Sequence, residues 1–420
     1  MNINCATLPT ATSPPTRRHF LAHVAALITS PLLLAGCRRF VRSEKSVTPA
    51  GAFDKLIGDF MKERGTPGGA LAVVKDRRLV YAQGYGWADR EQKIAATPQS
   101  LFRLASVSKP ITAVAVLTLV EQQKVSLDQY VFELLALDAH VPKGARLDER
   151  WRRITVRQLL QHSGGWSQHS GEPMFIAKDY LVKQFPDLPA GSPWAVIRFQ
   201  LTQPLEFDPG TRFAYSGFGY CLLGRVIEKV TGQPYETFVQ QIVLAPAGIQ
   251  RMRVGRSLER VRDEVQYYDQ KDPDAPGGIN FEAMDSGGGW IGSAVDLGRF
   301  AAALDNPKRS PLLKRPTFET MYARPPALTG QHDGDDAYYG CGWCVRRLDA
   351  SGKANYWHYG DMPGTNTLLV RFAIGFSIAV LFNQRSENNT LAHTDMDAAL
   401  KRAATIVTDW PKKDLFERYS

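Results

Sequence analysis

Several familiar catalytic motifs are missing from this chain of 420 residues. It has no G-x-S-x-G stretch, which would mark the nucleophile turn of an α/β-hydrolase. It also has no H-E-x-x-H pair, no P-loop, and no G-x-G-x-x-G after a strand. His162 and His169 lie seven residues apart without a third ligand near them, which makes a structural metal improbable. We therefore predict neither a metal nor a cofactor.

Charge of one sign is not concentrated along the chain. The net charge is +9, but it is spread out rather than gathered into a basic stripe, which argues against nucleic-acid binding. Apolar residues make up 44% and charged residues 22%, as in a soluble globular protein with a full core. Nothing in the middle of the chain resembles a flexible linker between two independent halves.

Cysteine is scarce, with five residues in the whole chain. Beyond the first 37 residues only Cys221, Cys341 and Cys344 remain, an odd number. The C-x-x-C spacing of the last two could indicate a redox or zinc site, but residues 338–345 read as a strand. Side chains three apart on a strand point to opposite faces. We therefore expect three buried small residues rather than a disulfide or a shared metal at this pair.

The N-terminal apolar run, residues 21–35, is shorter than a membrane-spanning helix requires. Arg17 and Arg18 precede it and fit the twin-arginine export pattern. The run ends in Leu34-Ala-Gly-Cys37, which resembles the lipobox of bacterial lipoproteins, where the cysteine is acylated and becomes the mature N-terminus. We therefore predict a signal segment over residues 1–37 and lipidation at Cys37. A transmembrane anchor or a chance apolar stretch is the alternative.

Residues 38–51 are predicted to be a basic and flexible tether. Four basic residues and one acidic residue directly follow Cys37, and a Ser/Thr/Pro/Gly stretch comes next. Basic residues beside a lipid anchor add attraction to anionic headgroups. The predicted protein is thus exported, and a lipid anchor holds it to the membrane in the periplasm or cell envelope.

The body of the chain, residues 52–410, shows strand patterns at both ends and helical patterns between them. A helix is predicted from Phe53 to about Arg64, and a hairpin follows over residues 70–83. Strands are predicted at 338–346, 355–358, 365–372 and 376–382, and a last helix at 390–408. This order indicates an α+β fold: an antiparallel sheet subdomain from about 52–105 and 330–410, and a mostly helical insertion from about 106–329. Two segments without periodicity, 169–198 and 256–285, are predicted to be irregular loops beside a binding site, with disordered excursions as the alternative.

Ser106 and Lys109 are the central pair of the sequence. They form the only S-x-x-K match, and an apolar helical run to Val120 follows directly. Residues three apart on a helix share one face, so the hydroxyl and the amine are within reach of each other. A serine needs a neighbouring base to become a nucleophile, and burial or a nearby cation disfavours the charged form of a lysine. The alternative is a helix-capping serine followed by a solvated lysine.

Five stretches in order resemble the superfamily of serine beta-lactamases and penicillin-binding proteins, within it the class C-like branch with family VIII esterases and D-aminopeptidases. The resemblance covers roughly residues 53–408. The matching stretches are Phe102-Arg-Leu-Ala-Ser-Val-Ser-Lys109, Ile154-Thr-Val-Arg-Gln-Leu-Leu-Gln-His-Ser-Gly164, Phe207-Asp-Pro-Gly-Thr-Arg-Phe-Ala-Tyr-Ser-Gly217, Gly288-Gly-Trp-Ile-Gly-Ser-Ala-Val-Asp-Leu297 and His358-Tyr-Gly360.

The resemblance implies roles for further residues. Tyr215 would share base duty with the lysine, although Gly217 stands where the family's Y-x-N pattern has asparagine. His358 would orient or polarise the substrate in place of the lysine of K-T-G, and Gly360 belongs to the same motif. The backbone N–H groups of Ser106 and Asp361 would form the oxyanion hole.

The sequence thus predicts an exported serine hydrolase that cleaves a small ester, amide or D-amino-acid peptide through an acyl-enzyme on Ser106. Two alternatives remain at this point. One is a true beta-lactamase or D-Ala-D-Ala carboxypeptidase. The other is a non-catalytic protein that binds cell-wall peptide or a partner protein, for which the loss of asparagine at Gly217 would be the sign.

Overall fold

The structure is a computed structural model that describes residues 46–167, 176–257, 259–326, 337–385 and 395–419. Several predictions lie outside these described residues. They are the export signal with Arg17 and Arg18, the lipidation site Cys37, and most of the tether. His169 and the start of the predicted last helix are outside them as well.

The main sheet has eight antiparallel strands in the order β3-β2-β1-β12-β11-β10-β9-β8. The N-terminal hairpin and the C-terminal strands meet in its centre, where β1 pairs with β12. The described strands are β1 Gly68–Lys75, β2 Arg78–Asp89, β3 Ile94–Ala95, β4 Phe102–Arg103, β5 Arg253–Val254, β6 Tyr268–Asp269, β7 Trp290–Gly292, β8 Ala337–Tyr339, β9 Cys344–Arg347, β10 Ala354–Met362, β11 Thr365–Phe372, β12 Phe376–Phe382 and β13 Gln384–Arg385.

Most of the helices come between β4 and β8 in the chain, and two helices at the ends of the chain cover the sheet. The described α-helices are α1 Pro49–Arg64, α2 Ser108–Glu121, α3 Val131–Leu134, α4 Val156–Leu160, α5 Lys178–Gln184, α6 Pro193–Leu201, α7 Phe218–Thr231, α8 Tyr235–Val239, α9 Asp285–Gly288, α10 Ala294–Leu304, α11 Arg315–Met321 and α12 Met396–Ile406. Short 3₁₀ or π turns occur at Ala105–Val107, Leu137–His140, Glu149–Arg153, Gln240–Leu244, Ala245–Ala247 and Leu415–Tyr419.

Alternate side chains of the central strands fill two hydrophobic cores, because successive residues of a strand point to opposite faces. Leu368 and Val380 pack on one face with residues of α1 and α12. Leu369 and Leu381 pack on the other face with α2 and the rest of the helical insertion. A sheet with helices on both faces and a helical insertion confirms the predicted α+β class.

The structure corrects two predicted elements. Residues 338–345 are not one strand: β8 and β9 form a hairpin, and Gly342 in its turn has φ +83°, a left-handed conformation that favours glycine. The segment 169–198 is not wholly irregular, because α5 lies within it and α6 begins in it. Both helices are short, so their periodicity is weak in sequence.

The three cysteines of the body are buried, as expected. Cys341 is a free thiol, so Cys341 and Cys344 are not bonded to each other. Cys344 is disulfide-bonded, which corrects its interpretation as a plain buried thiol. Within the described part of the chain, no helix is long and apolar enough to cross a membrane.

Candidate active site

The segment before Ser106 is held by the sheet. Thr365 and Thr367, both on β11, donate their hydroxyl hydrogens to the carbonyl oxygens of Arg103 and Leu104, at 2.9 Å each. The Leu104 N–H donates to the carbonyl of Trp290 at 2.8 Å. Because these groups are buried, leaving one without its partner would cost about 1–3 kcal/mol. The backbone of the segment that leads to Ser106 is therefore held in one position.

Ser106 and Lys109 are brought together at the start of α2. Ala105 has φ +48°, which is uncommon for a residue with a side chain, and it turns the chain from β4 into the helix. Lys109 Nζ donates to Ser106 Oγ at 3.0 Å and to the carbonyl oxygen of Gly287 at 2.7 Å. Lys109 is only 2% exposed, whereas Ser106 is partly exposed. A nucleophile beside a potential base is the arrangement that covalent catalysis requires.

Tyr215 lies next to this pair. Asp208 and Gly210 form a turn before it, and α7 begins three residues after it. Lys109 Nζ is 4.9 Å from the centre of the Tyr215 ring, and the ring is 4.2 Å from that of His162. The structure therefore places the phenol in the site, where its ring also packs against aromatic neighbours.

His358 is in the wall of the site, although not at the end of a strand. It lies inside β10 and is fully buried. Its Nδ1–H donates to the Tyr359 carbonyl at 2.6 Å, so Nε2 accepts the Tyr339 hydroxyl at 2.9 Å. Burial and then the nearby Lys109 charge lower the pKa of His358 to about 3. The imidazole is therefore neutral at any working pH, and both of its nitrogens are already engaged.

Gly360 brings β10 against the nucleophile segment. A side chain at this position would begin 2.3 Å from the Leu104 carbonyl oxygen and 2.2 Å from Thr367 Oγ1, so only glycine fits. The same added Cβ would lie 3.1 Å from Ala105. At Gly360, β10 is therefore in direct contact with the segment that leads to Ser106.

Asp361 carries a buried carboxylate at this edge of the sheet. Burial raises its pKa to about 7, while Arg385 opposes the shift and Asp269 adds to it. Arg385 Nε lies 3.9 Å from Asp361 Oδ1. The charge at this position therefore changes close to neutral pH, and an arginine stands beside it to offset the ionised form.

Gly217 caps the N-terminus of α7 and presents no side chain towards the site. Its carbonyl accepts the N–H groups of Tyr220 and Cys221, so its role is to begin the helix. The chain therefore lacks at position 217 the hydrogen-bonding side-chain amide of the asparagine in the family pattern.

Two parts of the site were missed in the sequence. One is the Gly287 carbonyl, a backbone group that cannot be recognised from residue type. The other is His162, for which the sequence predicts no role in the site. Its Nδ1 accepts the Ser216 N–H at 3.3 Å, and burial, followed by the Lys109 charge, lowers its pKa well below the usual value. The matching stretch from Ile154 to Gly164 contains it, so the signal was present but assigned to no role.

The comparison with known families shows to which family the chain belongs. The family model described as beta-lactamase matches residues 53–403. The chain belongs to the beta-lactamase family. As a member, it is a serine hydrolase related to beta-lactamases, and the predicted family resemblance is confirmed.

Individual relatives span several activities within the beta-lactamase family. The chain is 31% identical to the probable fimbrial assembly protein FimD, serogroup H1, of Dichelobacter nodosus, over 74% of each chain. It is 32% identical to esterase EstB of Burkholderia gladioli, over 52% of this chain and 55% of the esterase. A solved structure of the octameric penicillin-binding protein homologue from Pyrococcus abyssi superposes with a TM-score of 0.68 at 26% identity, covering 87% of this chain and 79% of that one.

The described residues contain no group of three His, Cys, Asp or Glu side chains arranged to hold a metal ion.

Proposed function

We propose that this beta-lactamase-family hydrolase cleaves a small ester or amide through an acyl-enzyme on Ser106. The observation that carries the proposal is the 3.0 Å hydrogen bond between the buried Lys109 amine and the Ser106 hydroxyl. The esterase named among its relatives supports an ester substrate. The natural acyl and leaving groups would be those of a short ester, an amide or a D-amino-acid peptide.

In the proposed mechanism, Ser106 Oγ bonds to the substrate carbonyl carbon while its proton passes to the Lys109 amine, which accepts it in the unprotonated form, with Tyr215 beside the lysine. The negative charge on the carbonyl oxygen is then stabilised by the backbone N–H groups of Ser106 and Asp361. The intermediate collapses as the bond to the leaving group breaks, and the leaving group takes up the proton. Water attacks the acyl-enzyme in a second step and restores Ser106.

His358 acts in this proposal without touching the substrate. Both of its ring nitrogens are engaged by Tyr339 and Tyr359, and its ring centre lies 6.2 Å from that of Tyr215. The neutral imidazole therefore supports the wall on which Tyr215 packs. This supporting role of His358 replaces the direct contact with the substrate that the family resemblance implies.

Covalent labelling tests the nucleophile. A fluorophosphonate probe is expected to add once, with loss of fluoride, and peptide mass spectrometry should find the adduct on Ser106. Denatured protein is the control, because reactivity depends on Lys109 being in place. Labelling at another serine, or no labelling of folded protein, would contradict the proposal and favour a non-catalytic binding protein.

We also propose that the protein is exported through its twin-arginine signal and held to the membrane by lipid on Cys37. Replacing Cys37 by Ala should release the protein from the membrane fraction, because lipid chains supply the anchoring free energy. Replacing Arg17 and Arg18 by Lys should block export. Immunoblots of membrane and soluble fractions measure both outcomes. A Cys37→Ala protein that stays in the membrane pellet after a salt wash would indicate a spanning anchor instead.

A further inference from the structure

Lys109 depends on a backbone carbonyl as well as on Ser106. Its amine donates to the carbonyl oxygen of Gly287 at 2.7 Å, which is shorter than its 3.0 Å contact with the serine. Gly287 belongs to α9, a single turn of four residues. A turn this short is not stable alone, so its position must come from the groups that surround it.

The side chain of Asp285 ties this turn to α7. Its Oδ2 accepts a hydrogen bond from Arg225 Nη2 at 2.5 Å, and its Oδ1 accepts from the Ser286 N–H and hydroxyl at 2.5 and 2.7 Å. Arg225 is 2% exposed, and its Nε also lies 2.7 Å from Glu228 Oε2. The guanidinium thus bridges the buried Asp285 carboxylate and the partly exposed Glu228 carboxylate, and removing it leaves the buried Asp285 charge without compensation.

The other side of the turn rests on α2. Thr112 Oγ1 donates to the Ser286 carbonyl at 2.7 Å, and Lys109 donates to the next carbonyl along the chain. Lys109 and Thr112 are three residues apart on one face of α2, so one helix face binds two consecutive carbonyls. A side chain at Gly224 of α7 would begin 2.4 Å from Ser286 Oγ, so α7 and the turn are in direct contact.

We propose that Arg225 and Asp285 are positioning residues for Lys109 in the proposed hydrolysis. Neither side chain contacts Ser106. They hold the Gly287 carbonyl where it fixes the direction of the lysine amine, and that direction aims the amine at the serine hydroxyl. The inference rests on the proposed function, in which Lys109 takes the serine proton.

Replacing Arg225 by Met tests this role, since Met keeps most of the volume and removes the charge. The maximal rate of Ser106 labelling by a fluorophosphonate is expected to fall about 10- to 100-fold, as for a small misplacement of a catalytic group. The probe concentration that gives half the maximal rate should stay within about twofold, because no substrate contact is lost. Asp285→Asn should behave alike, and Arg225→Lys, which keeps the pair with Asp285, should recover part of the rate.

The matched control is Arg371→Met. Arg371 is also buried and cationic, donating to the Leu304 carbonyl and the Tyr322 hydroxyl at 2.6 Å each, but it lies at the other end of β11 from the threonines that hold the nucleophile segment. Thermal unfolding compares the loss of stability in Arg225→Met with that in Arg371→Met. Arg371→Met should label at the wild-type rate when it is folded.

Equal rate losses in the two variants, or a folded Arg225→Met with the wild-type rate, would overturn the positioning role. If Arg225→Met does not fold, Arg225→Lys and Asp285→Asn decide: a folded Asp285→Asn with the wild-type rate contradicts the proposal. A wild-type protein that does not label at all overturns the proposed function first. That outcome is visible before any variant is compared.

Discussion

Ester hydrolysis is expected to disappear when Ser106 is replaced by Ala, with the fold intact. The substitution removes one oxygen, which accepts the hydrogen bond from Lys109. Lys109→Ala should lose nearly as much activity, because residues that act as one catalytic unit are not additive and each removal costs most of the rate. Turnover of a p-nitrophenyl ester measures both effects, and thermal unfolding checks the fold.

Lys109→Arg is the sharper control for the base. It keeps N–H donors at this position, but a guanidinium does not release its proton in proteins, so it cannot act as a base. Activity should be lost although the donors remain. A Ser106→Ala protein that retains more than a small fraction of the rate would show that another group is the nucleophile, and an active Lys109→Arg would remove the lysine from the role of base.

The second large effect concerns substrate class: neutral esters should be preferred to beta-lactams by roughly a hundredfold or more in kcat/KM. Penicillins and cephalosporins carry a carboxylate, and the chain offers neutral His358 and side-chain-free Gly217 where the family patterns have lysine and asparagine. A missing charge and a missing amide each cost on the order of 1–3 kcal/mol. Nitrocefin and a p-nitrophenyl ester of a short acid, measured on one preparation, give the ratio.

The pH dependence of that ratio provides an internal check. The pKa of Asp361 is raised to about 7, so its carboxylate is mostly neutral at pH 6 and mostly ionised at pH 8. Repulsion of an anionic beta-lactam should therefore grow as the pH rises, and the nitrocefin-to-ester ratio should fall. Effects of pH on the shared acylation steps cancel in the ratio.

Gly217→Asn is the matched variant for this comparison, since it restores the family's amide without burying a new charge. It should raise nitrocefin turnover more than ester turnover. Introducing a lysine at His358 is a poorer test, because that position is fully buried between Tyr339 and Tyr359. If the wild-type protein hydrolysed nitrocefin as efficiently as the ester, it would instead be a true beta-lactamase.

The parts of the site that could be predicted from sequence are those in which spacing along one element sets a distance. Ser106 and Lys109 are such a pair, because an interval of three residues at a helix start brings the two side chains together. The strands Thr365–Phe372 and Phe376–Phe382 were predicted with the observed bounds, since they are apolar runs with the turn glycines Gly364 and Gly375 before them.

The remaining contacts join residues that are far apart in the chain. The Gly287 carbonyl, the Arg225–Asp285 pair and the Tyr339 hydroxyl on His358 depend on tertiary packing, and no local pattern distinguishes them. The hairpin of β8 and β9 was missed for another reason. Its turn contains Cys341 and Trp343 beside the glycines Gly340 and Gly342, and apolar residues of this kind continue a strand pattern instead of interrupting it.

The pairing of β1 with β12 has a consequence for how the protein is made. Gly69 lies opposite Phe382, so a strand near the beginning of the chain can pair only after a strand near the end of the chain has been made. During synthesis the β1–β2 hairpin emerges long before its partner, and non-local pairing of this kind folds slowly and exposes strand edges. A ribosome that stops before residue 376 would release a chain with an open apolar edge at β1. Premature termination should therefore yield aggregates and proteolytic fragments rather than a smaller folded protein.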